Sequence, residues 1–136
     1  AAGRAVLRLI EREGVVARAE RTGSLMRGAL LGLMYRHAMI GDVRGRGLAI
    51  GIELVADRAS RAPVPVTTTA KVIYRAWELG ALFLYVGLRG NVLELTPPLT
   101  LSEEEAREGV AIIDQALADV AEGRVSDEAV APFMMW

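Results

Sequence analysis

Gly90-Asn91-Val92-Leu93-Glu94-Leu95-Thr96-Pro97-Pro98-Leu99-Thr100-Leu101-Ser102-Glu103-Glu104-Glu105 holds a strand, a stop and a helix start in sixteen residues. Val92 to Thr96 alternates and is rich in strand formers, Glu94 excepted. Pro97 and Pro98 have no N–H to donate to a ladder, so pairing must end there. Ser102 with Glu105 has the capping-box spacing, in which hydroxyl and carboxylate each satisfy a free backbone N–H. Ala106, Gly109, Val110, Ile113, Ala116, Leu117 and Val120 then recur at helical spacing, with Gly123 as the stop.

Upstream, Ala81 to Val86 is nearly continuous in apolar residues and reads as a mid-sheet strand, joined to the next by a hairpin at Gly87 to Asn91. Thr67-Thr68-Thr69 offers caps for a helix carried by Val72, Ile73, Ala76 and Trp77 and ended by Gly80. Asp57 to Pro65 is polar and contains prolines, hence a surface loop. Leu48, Ile50, Ile52 and Leu54 form the large face of another strand, while Ala49 and Gly51 leave its other face small. Gly45 and Gly47 before it predict a bulge or tight bend between two short strands.

Two helical patterns open the chain. The first runs through Ala2, Ala5, Val6, Leu9 and Ile10 to Gly14, the second from Val15 to Leu33, with Arg36-His37 placed to complement its C-terminal dipole. The first begins without a cap, which leads us to expect a chain that continues upstream. The end, from Arg124 to Trp136, reads as irregular, and its apolar Pro132-Phe133-Met134-Met135-Trp136 as docked on a surface.

The order is helix, helix, strand pair, helix, strand, strand, helix. It predicts an α+β fold with a small, mainly antiparallel sheet of three to four strands and helices packed on its apolar face. We expect one domain over 1–136, with a helical entry segment (1–38), a sheet-and-helix core (39–123) and a tail (124–136). Cysteine is absent, which removes disulfides and thiolate chemistry, and with one histidine a zinc site is not expected. A net charge of −1 leaves no electrostatic footprint for nucleic acid, and no apolar run is long enough for a membrane span. A soluble cytoplasmic chain is the default expectation.

The residues carry no catalytic set. Arg44-Gly45-Arg46-Gly47 precedes a strand, whereas a phosphate cradle opens a helix. Glu103-Glu104-Glu105 complements a helix dipole better than it binds metal. His37 has no nucleophile near it in the pattern. Lys71 is the only lysine, but its place early in an amphipathic helix predicts neither the burial nor the cationic neighbour that a carbonyl-trapping lysine needs.

The stretches Asp42-Val43-Arg44-Gly45-Arg46-Gly47-Leu48-Ala49-Ile50-Gly51-Ile52-Glu53-Leu54 and Asn91-Val92-Leu93-Glu94-Leu95-Thr96-Pro97-Pro98-Leu99-Thr100-Leu101-Ser102 resemble the C-terminal part of class III pyridoxal-phosphate aminotransferases. That family includes 4-aminobutyrate, ornithine and acetylornithine aminotransferases and dialkylglycine decarboxylase. The resemblance extends over essentially the whole chain. It implies the C-terminal small domain of a fold type I pyridoxal-phosphate enzyme. Cofactor and catalytic lysine would then belong to a large domain of the same polypeptide. It also implies a homodimer when complete, and no activity or bound cofactor for this chain alone.

Many relatives carry an arginine where Glu94 stands, gripping the substrate carboxylate as a bidentate fork. Three arrangements follow from the resemblance. Arg89 supplies the cation from the adjacent hairpin; or Glu94 attracts a substrate ammonium; or the missing domain alone holds the substrate. Glu94, Arg89 and Thr96 are thus the candidate substrate contacts, against the plain alternative of Glu94 as a solvated strand residue. The chemistry implied is amino transfer from an amino acid or ω-amino donor to a 2-oxo acid. The alternatives are a racemase, epimerase or decarboxylase of the same fold, or a stand-alone α/β interaction module.

Overall fold

The computed structural model of the chain describes residues 2–134. Helix α1 (Ala2–Arg12) ends before Gly14, whose φ of 57° turns the chain into α2 (Val15–Leu33). Strands β1 (Ile40–Arg46) and β2 (Ala49–Asp57) form a hairpin, followed by the two-residue β3 (Ala62–Pro63) and helix α3 (Val66–Glu78). A second hairpin, β4 (Leu84–Val86) and β5 (Val92–Leu95), leads to α4 (Glu103–Ala121) and the single helical turn α5 (Asp127–Val130). The strands lie in the order β1-β2-β5-β4, all antiparallel, with β3 paired to the end of β2.

The unequal faces of β2 decide the layering. Ile50, Ile52 and Leu54 are buried, together with Leu93 and Leu95 of β5, under α2, α3 and α4. Burial of several such side chains, each about 1.5–3 kcal/mol, is the main force that holds helices to sheet. The opposite face carries Asp42, Arg44, Gly51, Glu53, Glu94 and Leu84 and has no helix over it among the described residues.

Gly23 shows how tightly α2 lies on the first hairpin. A Cβ on it would fall 1.9 Å from the Gly47 carbonyl oxygen, so only glycine admits the approach. Arg27 of α2 also donates to the Gly45 carbonyl at 2.8 Å. The expected bend is therefore at Gly47 (φ 54°), while the register shift of this pair lies between Ile40 and Asp42 instead. Leu48 sits in the turn rather than the strand, yet is buried.

At the start of α4 the capping box is complete. The Glu105 N–H donates to the Ser102 hydroxyl at 3.1 Å and the Ser102 N–H to the Glu105 carboxylate at 2.8 Å. These bonds hold the Glu105 carboxyl below its ordinary range, the backbone bond contributing most.

Several expectations are corrected. The Thr67–Thr69 run does not cap α3: the helix starts at Val66 after Pro65, and Thr69 lies wholly buried within it. Ala81 to Val86 is not a mid-sheet strand. Only Leu84–Val86 is extended, and it forms the sheet's edge. The ladder stops at Leu84–Glu94; continued, its register would set Phe83 against Leu95, Leu82 against Thr96 and Ala81 against Pro97, which has no N–H to donate. The loop after β2 contains β3. Arg36 and His37 do not serve the end of α2 but meet Asp114 of α4 at 2.8 and 2.6 Å. Arg58 instead donates to the Met34 and His37 carbonyls and, at 2.9 Å, to that of Ile40.

The tail is more ordered than its composition predicts. Val125 and Val130 are buried, Ser126 caps α5, and Phe133 stacks against Tyr74 of α3 with ring centroids 5.9 Å apart. Asp119 fastens the junction, accepting from Arg75, Gln115 and Arg124, each at 2.7 Å. The expectation for Met135 and Trp136 lies outside the described residues.

Candidate functional site

The Leu84–Glu94 pair is the last rung between β4 and β5. Beyond it the segments leading to Leu84 and away from Glu94 separate. The gap is a cavity of about 520 Å³, within the size range of small-molecule sites. Leu82, Phe83 and Leu84 form one wall, Glu94 to Pro98 the other, and Met26, Gly109 and Ile112 extend it to α2 and α4. In the continued register Pro97 falls opposite Ala81, so the Pro-Pro stop bars pairing at the far end of this space.

Glu94 projects on the sheet face away from the core, between Gly51 of β2 and Leu84 of β4. It is half-buried, and no described residue forms an ion pair or hydrogen bond with it. Of the cations on its own face, Arg44 is engaged, bonding Asp42 at 2.9 Å and Glu53 at 2.6 Å, while Arg46, opposite Ala49, forms no ion pair or hydrogen bond with a described residue. Those two carboxylates raise the Arg44 pKa further, the Asp42 bond most of all. Thr96 is exposed and lines the same cavity as Glu94.

Arg89 is exposed in the loop at the other end of β5 and is not among the residues lining this cavity. The structure brings Glu94 and Thr96 together and leaves Arg89 a strand's length away. What the sequence reading missed at this site is its second wall. Leu82 and Phe83 read as strand interior, and the residues opposite them in the continued register, Thr96 and Leu95, gave no signal that they would be unpaired.

Lys71 lies elsewhere. Its Nζ is 2.7 Å from Asp127, tying α3 to α5. A second cavity, of about 280 Å³, lies between α3 and the tail, lined by Tyr74, Trp77, Leu82, Tyr85, Val130 and Phe133 among others. It has no charged residue in its lining and offers nothing to orient a reacting group. No group of three or more metal-ligating side chains occurs among the described residues, and none of their helices is long and apolar enough to cross a membrane.

The sequence matches the family described as aminotransferase class-III over residues 1–117. A leucine/methionine racemase of Thermococcus litoralis is 43% identical over 93% of this chain and 28% of its own length. A 4-aminobutyrate aminotransferase of Mycobacterium leprae is 39% identical over 88% of this chain and 26% of its own. Among solved structures, an amine transaminase from an uncultivated Pseudomonas species, in its PLP-bound form, superposes with a TM-score of 0.80 at 33% identity. That match covers 88% of this chain and 27% of the other. The chain thus spans about a quarter of the length of the curated relatives it matches.

Proposed function

We propose a function from one premise, that this chain belongs to the class III aminotransferase family. It is the C-terminal small domain of a pyridoxal-phosphate-dependent aminotransferase, and it forms one wall of that enzyme's substrate site. The complete enzyme moves an amino group from an amino acid or ω-amino donor to a 2-oxo acid, as a cytoplasmic homodimer. The observation that carries the reading is the cavity at the parting of β4 and β5, with Glu94 and Thr96 on its rim.

Pyridoxal phosphate does not fit the residues described. The only lysine is committed to Asp127 and lines neither cavity. The N-terminus of α4, where an anion would otherwise be welcome, is closed by its own Ser102–Glu105 box. The cofactor therefore belongs to the large domain of the same polypeptide, and no catalytic step is assigned to residues of this chain.

A racemase is the second reading, favoured by the 43% identity to the leucine/methionine racemase. One assay separates the two. The complete polypeptide, loaded with pyridoxal phosphate, is given an amino donor and a 2-oxo acid. Stoichiometric appearance of the new amino acid is the result expected. Loss of optical rotation from a single amino acid without oxo-acid turnover would establish the racemase, and neither activity would contradict the family role.

A further inference from the structure

The smaller cavity, between α3 and the tail, is lined largely by aromatic rings. Ala70, Ile73, Tyr74 and Trp77 recur on one face of α3, at intervals of three and four residues, and all line it. Tyr85 of β4 lines it too, as do Val130 and Phe133 of the tail. The Tyr74 ring centroid lies 5.8 Å from that of Trp77 and 5.9 Å from that of Phe133, both pairs tilted. The tail is seated by the burial of Val125 and Val130 and by the Lys71–Asp127 ion pair, so these walls are set by the fold.

Among the described residues no lysine, arginine, histidine, aspartate or glutamate lines this cavity. An ion entering it would shed water without meeting a counter-charge, and ring faces return less than that loss to a cation. Water finds too few polar partners on such walls to be held in place. A flat ring gains more there than an aliphatic group of equal area, because offset and edge-to-face contacts add to the burial. Size sets the upper bound. A dry cavity of about 150 Å³ admits benzene, and this one, at about 280 Å³, has room for two fused rings.

We propose that this cavity binds a neutral aromatic molecule of one or two rings, packed against Tyr74, Trp77, Tyr85 and Phe133. The inference does not depend on the small-domain reading.

The test is a methyl NMR titration of the 136-residue chain at neutral pH. The probes are 2-naphthol, its saturated analogue decahydro-2-naphthol, the anion 2-naphthoate and the cation naphthalen-2-ylmethylammonium. Ile73 and Val130 line this cavity alone, and Ile112 lines only the larger one. The expected result is saturable shifts of the Ile73 and Val130 methyls with 2-naphthol and none at Ile112. The other three probes should bind at least about fivefold more weakly. Trp77→Ala and Phe133→Ala, at positions 57% and 61% exposed, should each weaken 2-naphthol at least about threefold, as for loss of one aromatic contact. The core methyls of Leu30 and Ile113 should keep their positions in both variants, which shows that the fold is intact. Shifts at Ile112 instead, equal affinity for the saturated or a charged probe, unchanged binding in both variants, or no saturation would overturn the proposal.

Discussion

Glu94 of β5 stands opposite Leu84 of β4 in the last rung of their ladder, and the chain opens into a cavity immediately beyond that pair. A lone carboxylate is therefore set where a strand is stopped by two prolines. The stop and the cap that follow it are folding devices. Together they also fix the position of Glu94, which lines the cavity and forms no ion pair or hydrogen bond with a described residue.

Gly23→Ala should destabilise the chain by about 3 kcal/mol, at the upper end of overpacking costs. The added Cβ would meet the Gly47 carbonyl, a backbone atom that cannot swing aside as a side chain would. Urea unfolding measures this, and a loss under about 0.5 kcal/mol, the range of ordinary surface changes, would show that α2 does not seat on the hairpin turn.

Ser102→Ala should cost about 1 kcal/mol, because the Glu105 N–H then loses its acceptor at the helix start. Ser102→Asp, which retains an acceptor, should restore most of it. If both variants unfold at the same urea concentration as the parent, the box contributes nothing.

Asp119 gives the acid limb of stability. Its carboxyl is fully covered and is held below the ordinary range chiefly by the Arg75 hydrogen bond. A depressed folded-state pKa stabilises the fold above the unfolded value of about 4, and this contribution fades as pH falls through the lower folded value. The stability gap between the parent and Asp119→Asn should be full at pH 7 and shrink progressively below about pH 4. A gap that stays constant down to pH 2 would refute the linkage.

Helix α1 has no buried residue, and Val6, Leu7 and Val16 are 54%, 63% and 68% exposed. Such a surface on an isolated chain should drive association. Light scattering should show oligomers that Leu7→Glu with Val16→Glu largely dissolves. A monodisperse parent chain would favour the stand-alone module instead.

Local patterns carried most of the architecture. The two-faced β2, the Ser102–Glu105 box, the hairpin at Gly87 to Asn91 and the helical stripes of α2 and α4 are all nearest-neighbour signals. What escaped them depends on distant partners. Asp114 receives Arg36 and His37 from the turn after α2, and Asp119 gathers Arg75 and Arg124, pairings that no spacing encodes. β4 reads as an interior strand because Phe83 and Tyr85 turn partly inward while Leu84 and Val86 remain exposed, so composition alone hid its edge position. At the site, alternation placed Glu94 on the open face. Its lack of a partner, and the separation of Arg89, needed the fold.

Steady-state kinetics of the complete, cofactor-loaded enzyme tests the proposal that Glu94 lies on the rim of the substrate site, in the arrangement where it attracts a substrate ammonium. Pentane-1,5-diamine and 5-aminopentanoate are compared as amino donors to one 2-oxo acid. The account predicts that kcat/KM favours the diamine by about tenfold or more, and that Glu94→Arg reverses the preference, each tenfold corresponding to about 1.4 kcal/mol of transition-state binding. A parent enzyme that prefers 5-aminopentanoate, or a ratio unmoved by Glu94→Arg, would contradict it.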